Sequence, residues 1–271
     1  MGKPEDEVAA FRRFSETYQQ PCEHAWVNDL AIRCFRDTGD GDYIAARLAT
    51  RARLPTQALW SGLQALEKYL KCILLLNRIS TKEIKHDISK ALNIINDKLS
   101  FRIALPEAEK IVFDHIAQSG EDRYLIGSFH FFDHELHGLD ALVWRLRQYC
   151  EPLDVEHYND SPSEAVLAKS IERIEARLSG PAVDGHLANG RLESILASND
   201  PARDGLVWRN AMFGDGQPIP DADDAVQHFK LSNSPLWLRP ELAPIVNQWI
   251  HLPKGVISEC AKLAKERKTK Q

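Results

Sequence analysis

The chain has 271 residues, 44% hydrophobic and 27% charged, which is enough apolar content to build a core and argues against wholesale disorder. Its formal net charge of -5, with a pI near 6.1, lacks the basic excess carried by dedicated binders of long nucleic acid. The five cysteines, Cys22, Cys34, Cys72, Cys150 and Cys260, form no CxxC pair, so free thiols in a reducing compartment are expected rather than a disulfide framework or a thiolate zinc site.

The opening MGKPEDEVAAF is acidic and has no apolar stretch of signal-peptide length. Asp6 stands where a myristoylation pattern wants Ser or Thr. The densest apolar run, Cys72 to Leu76, is far short of a membrane span. No membrane partner and a cytoplasmic location are the expectation.

Residues 5–36 read as helix broken near Pro21, and 1–41 as an N-terminal helical extension. Thr38-Gly39-Asp40-Gly41-Asp42 reads as a breaker, with Asp at hand to cap the helix after it. Residues 42–53 are good helix formers. Pro55-Thr56 opens the most informative helix, roughly 56–77. Leu59, Leu63, Leu66, Leu70 and Ile73 recur there at three- and four-residue steps. A second stripe, Ala58, Ala65, Tyr69, Cys72 and Leu76, lies beside the first. Two adjacent apolar stripes predict a wide buried face near the centre of a bundle.

Asp87 can cap a helix over 88–99, with Ile88, Leu92, Ile95 and Leu99 on its buried side. Pro106 suits the first turn of the next helix, to about Gln118. A helix over about 129–149 carries Phe132, Leu136, Leu139, Val143, Leu146 and Cys150 on one face, and Pro152 stops it. An amphipathic helix opens at Ser161-Pro162, with Leu167, Ile171, Ile174 and Leu178 together. Residues 180–190 read as a Gly/Pro loop, and a short helix holds Leu192, Ile195 and Leu196. Residues 199–234 read as a long loop, with a short extended pair around Leu206–Phe213. Helices near 241–250 and 254–267 close the chain. The expected fold is all-α, with an antiparallel helical bundle at 42–152 and a helical, loop-rich region at 153–271.

Several spaced features of this central part occur together. Asp42-Tyr43-Ile44-Ala45-Ala46-Arg47 precedes a helix reading Gln64-Ala65-Leu66-Glu67-Lys68-Tyr69-Leu70-Lys71. His86-Asp87-Ile88 and Asp122-Arg123-Tyr124 come after it. Residues 42–150 thereby resemble the HEPN (higher eukaryotes and prokaryotes nucleotide-binding) family of helical domains. The flanks match no pattern. The resemblance implies an antiparallel bundle that often forms a homodimer. It also implies a family divided between RNA-cutting members, often toxins or defence proteins, and members without nuclease activity that act with a partner. The expected function is a HEPN-like module binding a protein partner, a nucleotide or RNA. The alternative is a metal-independent ribonuclease.

Cutting members carry an Arg, four to six residues, then a His. Arg123 and His130 are separated by six and fit. Tyr124, directly after the Arg, departs from the polar residue usual there and resembles the non-cutting branch. In the cutting alternative His130 would carry the proton of a ribose 2′-hydroxyl and Arg123 would hold the phosphate. Lys68, Lys71 and His86 are the candidates for meeting a nucleotide or phosphate. His86-Asp87 also reads simply as a helix start, and the two lysines as a solvated face.

His130, His134 and His137 fall at i, i+4 and i+7, with Asp133 and Asp140 near, so one helical face could offer metal ligands. No fourth ligand from another segment is apparent, and no metal is expected there. His115, among Ala108, Ile111 and Val112, reads as a satisfied semi-buried histidine. No phosphate-cradling glycine loop and no Gly-x-Ser-x-Gly elbow occur, and no cofactor is expected.

Overall fold

The computed structural model describes residues 22–119, 129–132, 135–156, 161–180, 186–214, 229–232, 234–252 and 254–269. These are helical apart from one two-stranded ribbon. α1 (Glu23–Ala31) passes through a π-helical turn (Ile32–Arg36) into α2 (Asp37–Arg51).

The Thr38-Gly39-Asp40-Gly41-Asp42 stretch therefore lies inside a helix, a correction to the breaker expected there. Tertiary contacts override its weak propensity. A Cβ on Gly39 would sit 3.2 Å from Tyr69 Cε1 and 3.3 Å from Lys68 Cβ, so the glycine permits the close approach of the next helix. The Asp40 carboxylate, which could compete for backbone N–H groups, is instead held by Tyr69 and Arg147.

α3 (Pro55–Leu76) begins with proline in its first turn, where the missing N–H costs nothing. It packs on α1, α2, α4 (Ile88–Lys98), α5 (Glu107–Ser119) and α6 (Glu135–Arg147). Leu63, Leu66, Leu70 and Ile73 are fully buried, as are Ala65, Tyr69 and Cys72 of the second stripe. The wide apolar face thus places the helix at the centre. Asp87 caps α4 by accepting the Lys90 N–H at 2.8 Å. Gly138 of α6 faces Val112 of α5.

Of the helix expected over 129–149, α6 is described from Glu135 and the first residues are extended instead. Phe129–Phe132 is a strand, β1, paired antiparallel with β2 (Phe229–Ser232), His130 opposite Leu231. The Phe-His-Phe-Phe run suits a pleated surface, and its partner comes from a remote segment that no local pattern announces. The extended pair expected around Leu206–Phe213 is instead a short helix, α9 (Arg203–Val207), followed by turns.

α7 (Glu164–Ser179) and α8 (Arg191–Leu196) follow the expected pattern. Ile174, Leu192, Ile195, Leu206 and Phe213 join the same apolar core as α3. The compositional boundary at 152 is therefore not an edge of the core. A second, small core of Leu236, Ala243, Leu252 and Cys260 is built by α10 (Pro235–Leu238), a 3-10 turn (Pro240–Leu242), α11 (Ala243–Val246) and α12 (Lys254–Thr269). No described helix is long and apolar enough to cross a membrane.

Candidate functional site

The sequence candidates separate into different places. Arg123 and His134 lie outside the described residues. His130 is exposed on β1, and His137 is on α6. The helical face proposed for His130, His134 and His137 is therefore not one helix, because His130 is on a strand and His137 on α6.

Lys68, Lys71 and His86 meet carboxylates. Lys68 pairs with Asp42. Glu67, with a side chain only 7% exposed, accepts from Lys71 Nζ at 2.5 Å and lies 2.9 Å from His86 Nδ1. Lys71 also donates to the Lys85 carbonyl at 2.7 Å. This cluster ties the turn before α4 to the long helix. It neutralises the cations that a phosphate would need.

Two buried arginines dominate the interior electrostatics. Arg147 on α6 donates from Nε to Asp40 Oδ1 at 2.8 Å and from Nη2 to Oδ2 at 3.0 Å. Its Nη1 and Nη2 also donate to the two Glu193 oxygens at 2.9 and 3.0 Å. Tyr69 OH donates to Asp40 at 2.8 Å. Arg47 on α2 pairs with Asp140, donates to the Gly205 carbonyl at 3.0 Å and reaches the Trp208 carbonyl. Tyr43 OH donates to Asp140 at 2.6 Å, and Asn210 Nδ2 donates to Tyr43 OH at 2.9 Å.

Burial pushes the Asp40 and Asp140 carboxyls above the usual range, against the pull of Arg147 and Arg47. Burial also works against the charge of Arg147, but Asp40 and Glu193 outweigh it and hold its pKa well above the ordinary value. Burial would raise Glu193, yet the hydrogen bonds from Arg147 bring it below the usual range. The two pairs fasten α2 to α6 and anchor residues 187–210 on the bundle. They are committed to structure, since each guanidinium fork is filled by protein acceptors.

Sequence reasoning did not pair these residues, although a signal was present. Asp140, Val143, Trp144 and Arg147 share helical spacing, so two charges stand in an apolar stripe, where charges persist only when paired. It also missed that His115 on α5, exposed His130 on β1 and Glu135 at the start of α6 converge. Their separation in sequence gives no local signature. His115 is nearly buried, as its apolar neighbours suggested; its Nδ1 lies 3.0 Å from Glu135 Oε1, while Nε2 has no hydrogen-bond partner among the described residues. The histidine is therefore satisfied at one ring nitrogen only. Comparison of the chain with protein-family models, with curated proteins and with solved structures gave no match.

Proposed function

We propose that the chain is a HEPN-like helical module that acts by binding a protein partner, a second copy of itself, rather than by gripping a nucleotide or RNA phosphate. The family resemblance draws support from one contact between two of its motif segments, His86 against Glu67 of the central helix, beside the Glu67–Lys71 pair within that helix. The same ion pairs weigh against phosphate binding, because the motif cations already have carboxylate partners.

The observation that carries the reading is an open apolar line on the C-terminal unit. Leu242 on the 3-10 turn, Ile245 on α11 and Trp249 in the turn directly after it stand at three- and four-residue steps, and all three are exposed, Trp249 by 82%. Leu238 and Ile250 are exposed as well. A grouped apolar surface of this kind marks an interaction site more often than scattered single residues do. An accessible tryptophan is the residue type that most often anchors an interface. Sedimentation of the full chain over a range of concentrations tests the reading. The expected result is a reversible dimer that Trp249→Asp converts to a monomer of unchanged helicity. A wild-type chain monomeric at every concentration overturns self-association.

A further inference from the structure

His115, His130 and Glu135 come from α5, β1 and α6, and each offers one ligand-capable atom, all within 4.8 Å of one another. His115 Nδ1 lies 3.0 Å from Glu135 Oε1. The two imidazoles stack, with centroids 4.4 Å apart and planes 8° from parallel. The His115 and Glu135 side chains are 10% and 11% exposed. His115 Nε2 and Glu135 Oε2 have no hydrogen-bond partner among the described residues. Buried polar atoms are ordinarily satisfied, and two of them left open side by side call for a reason.

We propose that His115, His130 and Glu135 bind one divalent transition-metal cation of the zinc type, which clasps β1 to the α5–α6 pair. This inference is independent of the self-association argued above. Two imidazole nitrogens and one carboxylate oxygen are the donor set that suits zinc and its borderline neighbours, whereas calcium and magnesium prefer all-oxygen shells. Ligand atoms around a tetrahedral zinc stand about 3.3 Å apart, given metal–nitrogen bonds of ~2.0–2.1 Å. Imidazole lone pairs lie in the ring planes, so taking up the ion turns the stacked rings out of parallel until both face one centre. Three protein ligands leave a fourth position for water or another donor. The carboxylate supplies the charge, and the buried imidazole offers Nε2, which has no hydrogen-bond partner among the described residues.

The ion joins pieces that the chain keeps apart. His130 pairs across the ribbon with Leu231, so a cation on His130 fastens both strands to the bundle.

The test uses the full chain, stripped with chelator, dialysed and titrated with Co²⁺ as a spectroscopic stand-in for Zn²⁺. The expected result is one Co²⁺ per chain with the visible absorption of four-coordinate geometry, displaced by Zn²⁺. Zn²⁺ should also raise the melting temperature, because binding to the folded state alone stabilises it. His130→Ala changes an exposed residue and should keep the fold. It should weaken binding by more than about 100-fold, beyond the ~10–100-fold typical of outer-sphere changes. Glu135→Gln should weaken it too, while Cys22→Ser with Cys34→Ser should leave it unchanged. A folded wild type that takes up neither ion overturns the proposal. So does His130→Ala binding as tightly as wild type.

Discussion

Arg147 holds Asp40 in a two-point grip, Nε to Oδ1 and Nη2 to Oδ2, between helices α6 and α2, with both side chains buried. Removing Asp40 leaves the buried Arg147 with Glu193 as its one carboxylate and strips the Tyr69 hydroxyl of its acceptor. Asp40→Ala should therefore cost ~3–5 kcal/mol in urea unfolding. Replacing both partners, as Asp40→Leu with Arg147→Met, should cost markedly less than the sum of the single changes. Additive costs would mean that the pair is not energetically coupled.

Glu193 extends this grip, and its titration has a definite sign. Its folded pKa lies below the ordinary carboxylate value because of Arg147. The stabilisation it gives is fully present above the unfolded value of about 4.3, and is lost as the pH falls through the folded value. Wild type should be more stable than Glu193→Gln by a constant amount at neutral pH. The difference should vanish in acid. A gap that widens in acid would contradict the assignment.

Gly138 should not tolerate a methyl group. A Cβ there would overlap the Val112 side chain, standing 3.0 Å from its Cβ, and a β-branched residue on a helix has little freedom to turn away. Alanine would gain helix propensity of about 0.8–1.0 kcal/mol, against an overpacking cost of ~1–3 kcal/mol. Gly138→Ala should therefore lower the melting temperature. Gly138→Ala paired with Val112→Ala should unfold at a higher temperature than Val112→Ala alone, because the clash is then gone.

A module that works by binding should leave RNA intact. Incubation of the purified chain with mixed RNA is expected to give no products, and His130→Ala should behave identically. Cleavage by wild type that disappears in a folded His130→Ala variant would replace the binding reading with the ribonuclease one. General acid–base groups typically account for ~10²–10⁴-fold in rate, so such a loss would be plain on a gel.

The central helix was legible because its two stripes repeat without interruption over its whole length, and Asp87 was legible as a cap because its chemistry is local. The helix through Gly39 and Asp40 was not, because the groups that satisfy Asp40 sit on Tyr69 and Arg147, far along the chain. The strand at Phe129–Phe132 failed for the same reason, since its hydrogen-bonding partner is Phe229–Ser232. At the candidate site, His130 was singled out through a motif spacing. Its neighbours His115 and Glu135 emerged only in three dimensions, because no periodicity links a helix end, a strand and the start of another helix.

Leu206 and Phe213 fill the core that α3 organises, and that has a consequence for how the chain is made. On a ribosome, α1 to α6 emerge before the residues that complete their interior. A nascent chain that has emerged only as far as residue 152 lacks Leu206 and Phe213 to fill the core and Glu193 to meet Arg147. Such an intermediate is a natural client for a chaperone that shields apolar surface until synthesis passes residue 213. An expression fragment cut at 152 would be frozen in that exposed state.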